Sequence, residues 1–312
     1  MLWQLDEPLA DPAPLDVLYI SQLARTAGIK VLLSGVGGDD LFSGYRRHLA
    51  VSYDWLWSWM PAMARRGLAG LSRQLDQRTA LGRRASRLFG NADGSEHMQL
   101  AKYFAWARRG DLHALYTPEL NAAINDISAD QPMLDHLRRM SPETSRLEKL
   151  LSLEQRFFLA DHNLIYTDKM AMAASVEVRV PFLDPDLVDL AARIPGRFKQ
   201  RGREGKWVLK KAMEPYLPCD VIYRPKSGFG APLRLWLQGD LRPLMFDILS
   251  TDSLRARGLF DPVAVDRLIA DNDAGRVDAA YTIFSLMCVE IWCRKFMGSN
   301  FSFEAERRAA MA

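Results

Sequence analysis

The stretch K-V-L-L-S-G-V-G-G-D-D-L-F-S-G-Y, residues 30–45, joins a short apolar run to a glycine-rich turn. Residues 31–33 are all aliphatic, which predicts a strand that is buried on both faces, as in a parallel sheet. Gly37 and Gly38 permit the backbone to turn tightly and to approach a ligand closely. The stretch therefore predicts a strand, a turn and the start of a helix.

Two acidic residues, Asp39 and Asp40, follow this turn directly. A strand that ends in a glycine turn with free N–H groups is a common phosphate site, and adjacent carboxylates can hold Mg²⁺ together with substrate phosphates. The same residues also fit an ordinary strand–turn–helix joint capped by an Asp, because short glycine-rich matches have low specificity. Both interpretations stay open on this stretch alone.

The neighbouring sequence predicts an α/β unit. Apolar residues recur at helical spacing over 17–27, and Gly28 suits the position just after a helix. A helix that leads into a strand across so short a loop is typical of a parallel sheet. Helical patterns recur elsewhere, notably over 146–166 and 279–297, whereas only one or two strands are recognisable. The predicted fold class is α/β and mostly helical, with few parallel strands.

Composition excludes several classes of protein. The 312 residues carry a net charge of only +3, which does not favour nucleic acid as the main partner. Three cysteines and five histidines show neither a disulfide framework nor the spacing of a zinc site. The N-terminus does not resemble a signal peptide, and no apolar run is long enough to span a membrane. We therefore expect a cytoplasmic protein that binds neither membranes nor nucleic acid.

Three stretches in order resemble the synthetase domain of glutamine-hydrolysing asparagine synthetases. They are S-G-V-G-G-D-D-L-F-S-G-Y (34–45), D-K-M-A-M-A-A-S-V-E-V-R-V-P-F-L-D (168–184), and a region over 205–232 that contains G-K-W-V-L-K-K-A and R-P-K-S-G-F-G-A-P. The resemblance covers nearly the whole chain.

The family resemblance implies the C-terminal part of a synthetase domain that is similar to the pyrophosphate-loop ATPases (adenine nucleotide alpha hydrolase-like). Residues 1–50 would be the remaining part of its nucleotide-binding α/β core. Residues 51–150 would be a variable helical region, and residues 151–312 a helical C-terminal part.

The resemblance also implies an activity with ATP and Mg²⁺ as cofactors. Members of the family adenylate the side-chain carboxylate of aspartate, and ammonia made from glutamine in a separate domain then forms the amide. The related beta-lactam synthetases use the same scaffold for an intramolecular version. The expected partners of this chain are therefore a small carboxylate substrate and ammonia.

Roles in nucleotide and metal binding follow from the matched positions. By resemblance, Ser34 and Gly35 line the adenosine pocket, with Gly37 and Gly38 also at the cofactor. Asp39 matches a Mg²⁺-binding aspartate and is preferred over Asp40, which stands where the family usually has Glu.

Four further residues receive roles in catalysis or substrate binding from the resemblance. Lys226 matches a lysine that reaches the phosphates, and its loop of Pro and Gly suits the holding of a long side chain. Lys169 is the second expected catalytic residue. Asp168 and Glu177 are expected to contact the substrate ammonium, although Glu177 could equally pair with Arg179 or another cation to brace the fold.

Two departures from the family pattern qualify these expectations. The pyrophosphate-loop motif S-G-G-x-D-S and the glutaminase domain have no counterpart in these 312 residues. We therefore expect a C-terminal portion that needs the missing region in cis or in trans, and that is inactive and poorly stable alone. Val36 stands where some relatives carry an acid proposed to help ammonia transfer. This leaves two alternatives: a ligase for another carboxylate, in a polysaccharide or peptide pathway, or a non-catalytic interaction module.

Overall fold

The computed structural model describes residues 1–53, 95–225 and 230–298, together with 55, 59–61, 63–64, 67, 71 and 79. The described part is mostly helical, with four short strands in two separate two-stranded sheets. No described helix is both long and apolar enough to cross a bilayer. The predicted α/β, mostly helical class with few parallel strands is confirmed at this level.

The N-terminal part of the chain forms the predicted helix, strand, turn and helix. Its regular elements are α1 (Ala13–Thr26), β1 (Val31–Leu33), α2 (Gly38–Phe42) and α3 (Arg46–Ser52). Helix α1 begins four residues before the predicted start, where the Asp11 side chain accepts a hydrogen bond from the Ala13 N–H. Gly28 has a φ of 76°, as expected for a residue that ends a helix.

Strand β1 pairs in parallel with β2 (Glu177–Arg179), with Val31 opposite Glu177 and Leu33 opposite Arg179. The prediction that β1 is buried on both faces is wrong, since Val31 is 40% and Leu33 is 74% exposed. Within the described residues β2 is the only strand that pairs with β1. A two-stranded sheet leaves each strand with an open edge, and its side chains keep access to solvent.

Between residues 95 and 173 of the described part, helices joined by short loops make up the middle of the chain. It contains α4 (Glu96–Ala101), a 3₁₀ turn (Lys102–Phe104), α5 (Arg109–His113), α6 (Pro118–Ala123), α7 (Gln131–Arg138), α8 (Arg146–Leu153), a π-helix (Glu154–Leu164) and α9 (Ile165–Ala173). The single helix predicted over 146–166 is therefore divided among three elements, because apolar spacing does not distinguish i→i−4 from i→i−5 hydrogen bonding.

The remaining elements follow β2. They are a 3₁₀ turn (Pro181–Leu183), α10 (Pro185–Arg193), α11 (Gly196–Lys199), the antiparallel strands β3 (Gln200–Arg201) and β4 (Glu204–Gly205), α12 (Trp207–Met213), α13 (Cys219–Ile222), α14 (Leu233–Gln238), α15 (Arg242–Ile248), α16 (Thr251–Arg257), α17 (Pro262–Asp273) and α18 (Ala280–Phe296). Asp184 caps α10 through its side chain, as its position before a proline predicts.

Two hydrophobic clusters determine where the candidate site lies. The larger one surrounds α18 and contains Met170 of α9 and Leu233 of α14. A smaller cluster lies under α2 and joins Leu41 and Phe42 to side chains of α10 and α12. The second cluster fixes α2, and with it the acidic pair, against elements that follow β2.

Candidate functional site

The turn after β1 is held by its own residues, by the last residue of β2 and by the segment that follows β2. The Ser34 N–H donates to the Arg179 carbonyl at 2.8 Å, and the Val36 N–H donates to the Ser34 Oγ at 3.3 Å. Gly37 has a φ of 92°, and a Cβ there would lie 2.5 Å from the Leu183 side chain. Glycine is thus required at residue 37, by backbone conformation as well as by space.

Asp39 forms an ion pair at the carboxyl end of the parallel strands. The Lys206 Nζ lies 2.8 Å from the Asp39 Oδ1, and the two side chains are 30% and 23% exposed. Lys206 precedes α12 and has a φ of 57°, and its N–H donates to the Phe42 carbonyl at 2.9 Å. The pair is therefore partly open to solvent and is positioned by the backbone at both residues.

Two glycines make this close approach possible. A Cβ on Gly44 would lie 1.6 Å from the Asp39 Oδ1 and 2.6 Å from the Lys206 Cε. A Cβ on Gly205 would lie 2.2 Å from the Ser43 carbonyl oxygen. The segments around residues 44 and 205 can cross at this distance only because neither carries a side chain.

Asp40 lies beside Asp39 but is buried, with 1% of its surface exposed. The Tyr45 hydroxyl donates to its Oδ2 at 3.4 Å, whereas its Oδ1 has no hydrogen-bond partner among the described residues. Burial, followed by the charges of Glu154 and Asp39, raises the pKa of Asp40 to about 7. A buried carboxylate with an unpaired oxygen is costly, so this oxygen is a candidate ligand for a cation.

A charge cluster packs behind Asp40, in which His48 and Glu154 are fully buried and Arg47 is partly buried. Glu154 accepts hydrogen bonds from the Arg47 guanidinium and from the His48 Nε2, the latter at 2.8 Å. The His48 Nδ1 accepts the Tyr45 N–H, which leaves the ring proton on Nε2. Burial opposes ionisation of Glu154, but the hydrogen bonds from Arg47 and His48 outweigh it and lower its pKa. This cluster is satisfied internally and holds the start of α3.

The acidic pair fits Mg²⁺ better than it fits a metal with many protein ligands. Among the described residues, no three His, Cys, Asp or Glu side chains are grouped to hold a metal. Mg²⁺ is usually bound through one or two carboxylates plus substrate phosphates, and Asp39 with the unpaired Asp40 Oδ1 could supply the protein part. A Cβ on Gly35 would contact nothing, so packing within this chain does not require glycine there.

The other predicted site residues lie in different settings. Lys226 lies outside the described residues. The Lys169 ammonium pairs with the Asp6 carboxylate, and Asp168 is exposed on α9. Glu177 pairs with Arg179 at 2.8 Å, and both side chains are more than half exposed. Glu177 begins β2, at the end of the sheet opposite to Asp39. The substrate and catalytic roles of these residues stay predictions.

Sequence reasoning missed Lys206 and Gly44, although both lie inside stretches that carry the family resemblance. A lysine before an amphipathic helix gives no signal by itself, since its partner is 167 positions away (206 minus 39). The only available hint is the Gly205–Lys206 dipeptide, which indicates a backbone that approaches another segment closely.

A separate surface cavity of about 540 Å³ contains none of the predicted site residues. It lies between α7 and the π-helix, and its lining includes His136, Arg139, Arg156 and Phe157. Its lining shares no residue with the surroundings of Asp39 and Asp40.

Comparison with known proteins assigns the chain to a family. The sequence model of the asparagine synthase family matches residues 1–294. A putative glutamine-hydrolysing asparagine synthetase of Mycobacterium bovis is 31% identical over 305 residues, which cover 94% of this chain and 43% of that protein. Asparagine synthetase 1 of Bacillus subtilis is 28% identical over 296 residues, or 94% of this chain and 44% of its own length.

A more distant relative is the amidase chyE of Penicillium rubens, which is 23% identical over 283 residues, covering 83% of this chain and 41% of its own length. The chain thus spans less than half the length of the curated relatives it matches. The match over residues 1–294 shows that the chain belongs to the asparagine synthase family.

Proposed function

We propose that this chain is part of an ATP- and Mg²⁺-dependent ligase that activates a carboxylate by adenylation and converts it to an amide. We further propose that its α/β core is similar to that of the pyrophosphate-loop ATPases. The observation that carries the proposal is the Asp39–Lys206 ion pair at the carboxyl end of a parallel strand, beside the buried Asp40. Ligands of open α/β sheets bind at this end of the strands.

In this proposal Asp39 and Asp40 would hold Mg²⁺, and the ion would supply positive charge against the phosphates of ATP. The Lys206 ammonium would exchange its contact with Asp39 for a phosphate oxygen when the nucleotide binds. Gly35 would permit close approach of the nucleotide, next to the Ser34 hydroxyl. Lys226, the predicted lysine of the loop at 222–232, would add a second positive charge.

The reaction has two balanced steps. A carboxylate oxygen of the substrate attacks the α-phosphorus of ATP, and pyrophosphate leaves. Ammonia then attacks the acyl carbon, AMP leaves, and one proton is released. Negative charge accumulates on the leaving pyrophosphate in the first step, and fixed ammonium groups such as that of Lys206 would stabilise it there.

Aspartate is the proposed substrate, because the relatives with the greatest coverage are named asparagine synthetases. A second candidate is another carboxylate. It is favoured by Val36, which cannot take a proton where some family members have an acid, and by the relative named as an amidase. Pyrophosphate release with each acid in turn would distinguish the two.

Further polypeptide is the proposed partner of the β1 surface. Leu33 of β1 and Leu23 of α1 are 74% and 72% exposed, and Val31 is 40% exposed. Exposed aliphatic residues on an open strand edge are unusual in a protein that acts alone. We propose that the part of the relatives not spanned here, with a pyrophosphate loop and a glutaminase, covers this surface in cis or in trans.

The test is an assay of pyrophosphate release with ATP, Mg²⁺, aspartate and ammonium. The chain alone should release little, and addition of a relative's N-terminal region should restore release. Lys206→Met should then lower the rate about 10²–10³-fold, as for loss of one charge-stabilising group. The control is Lys210→Met, because Lys210 pairs with Glu204 at 3.0 Å and does not contact Asp39.

Equal rates for Lys206→Met and Lys210→Met would remove Lys206 from the mechanism. No release with any acid, even with the N-terminal region present, would favour a non-catalytic interaction module instead.

A further inference from the structure

The π-helix Glu154–Leu164 is the most unusual element near the acidic pair. Eleven residues in this conformation are rare, and π-type segments are frequent at functional sites. Its first residue, Glu154, belongs to the buried cluster behind Asp40. Two residues at its other end, His162 and Asn163, have no part in the proposed reaction, although both are involved in polar contacts.

These two residues belong to a continuous series of polar side-chain contacts. The His162 Nε2 lies 3.2 Å from the Asp11 Oδ2, and the His162 Nδ1 lies 3.0 Å from the Asn163 Oδ1. The Asn163 Nδ2 donates to the Tyr45 hydroxyl at 3.3 Å. The Tyr45 hydroxyl donates to the Asp40 Oδ2 at 3.4 Å. This series of contacts thus connects the start of α1 to the buried carboxylate of Asp40, beside Asp39.

Aromatic packing holds the middle of this series of contacts. The Tyr45 ring packs edge-to-face on Phe158 at 5.8 Å, and the Arg47 guanidinium lies 4.3 Å from the centre of the Tyr45 ring. The His162 ring stacks on Phe158 at 4.9 Å. Because ring packing fixes the Tyr45 oxygen, the hydrogen bond from Asn163 to this oxygen decides the direction in which the hydroxyl proton points.

Asp40 depends on this hydroxyl for its orientation. Its Oδ2 accepts the Tyr45 hydrogen bond, and its Oδ1 has no partner among the described residues. A carboxylate that is held through one oxygen presents the other in a defined direction. Loss of a group that orients a metal-binding carboxylate commonly weakens metal binding about tenfold or more.

We infer that His162 and Asn163 are positioning residues, which hold the Tyr45 hydroxyl so that Asp40 offers its free oxygen to the cation bound by Asp39. This inference rests on the proposed function, because it requires a divalent cation at Asp39. It gives the π-helix a positioning role, which the proposed reaction does not include. Neither residue touches the cation or the substrate in this arrangement.

The experiment measures Mn²⁺ affinity of the whole chain by electron paramagnetic resonance, with and without ATP. Asn163→Leu removes the donor to Tyr45 at nearly constant volume, and it should weaken Mn²⁺ binding about tenfold. Tyr45→Phe removes only the hydroxyl and should have the same effect if Asn163→Leu does not fold. Asp161→Asn is the matched control, since Asp161 lies exposed on the same π-helix and pairs with Arg156 at 3.5 Å.

A purely structural role would lower thermal stability without changing Mn²⁺ affinity, and that result would overturn the inference. Asp39→Asn separates the two proposals. If it abolishes Mn²⁺ binding while Asn163→Leu and Tyr45→Phe bind as the parent does, the cation site stands and the positioning role is wrong. If the parent and Asp39→Asn bind equally, the cation assignment fails and the inference fails with it.

Discussion

Two buried carboxylates in different regions of this molecule have opposite hydrogen-bonding environments. Near the C-terminal helix α18, Glu290 accepts hydrogen bonds from Arg257, Arg294 and Ser253 through both carboxylate oxygens. At the end of β1, Asp40 is equally buried but leaves one oxygen without a partner in the described part of the chain. The first arrangement is closed and stabilises a core, whereas the second is incomplete and fits a binding site.

The largest expected effect tests the closed region. Glu290→Ala should lower the free energy of unfolding by about 3–5 kcal/mol, because the buried Arg257 guanidinium would lose the carboxylate that neutralises its charge. Arg257 and Glu290 are both 3% exposed, so solvent cannot compensate. Chemical denaturation measures the loss. The control is Asp273→Ala, which breaks the more exposed pair with Arg242 and should cost about 0–1 kcal/mol.

The second largest expected effect is the pH dependence of stability that Asp40 causes in the incomplete region. The folded state raises the pKa of Asp40 to about 7, so it favours the protonated form. The contribution of Asp40 to stability is therefore greatest below about pH 4, the pKa of an unfolded Asp, and declines as pH rises to about 7.

Asp40→Asn should remove this dependence. Relative to the parent, the variant should gain stability between pH 4.5 and pH 8, on the order of 3 kcal/mol. Urea denaturation of both proteins across this range measures the difference. A constant difference at every pH would mean that Asp40 titrates normally, and the contrast with Glu290 would then disappear.

A smaller effect concerns the crossing beside Asp39. Gly44→Ala should destabilise the protein by about 2 kcal/mol, because the new methyl group would overlap the Asp39 carboxylate. The same variant should separate Asp39 from Lys206. Gly110→Ala is the matched control, since a Cβ there meets nothing within 4 Å. Similar melting temperatures for the two variants would contradict the tight crossing.

The smallest expected effect distinguishes exposed apolar residues from core residues. Leu33→Thr should change the free energy of unfolding by less than about 0.5 kcal/mol, because Leu33 is already 74% exposed. Chemical denaturation measures the change. A large loss of stability would show that the β1 surface is covered within this chain.

The local pattern was sufficient to predict the elements around the site. The aliphatic run at 31–33, the positive φ of Gly28 and the Asp184 cap all depend on residues that are neighbours in sequence. The predicted position of Asp39 after the turn rests on the same local information.

Long-range features were not predictable in this way. The Lys206 contact requires two segments to cross at Gly44 and Gly205, and no local periodicity encodes such a crossing. The π-helix has the apolar spacing of an ordinary helix, so its hydrogen bonding was invisible in the sequence. The exposure of Leu33 depends on which neighbours cover β1, and an apolar run records only its tendency to be buried.

The register of β1 and β2 has a consequence for biosynthesis. Val31 and its partner Glu177 are 146 residues apart (177 minus 31). At about 5–20 residues per second on the ribosome, β2 is translated roughly 7–30 s after β1. Throughout this interval the aliphatic β1 segment has no β2 segment to pair with and is accessible to chaperones or to other nascent chains. The yield of correctly folded protein should therefore depend on translation speed.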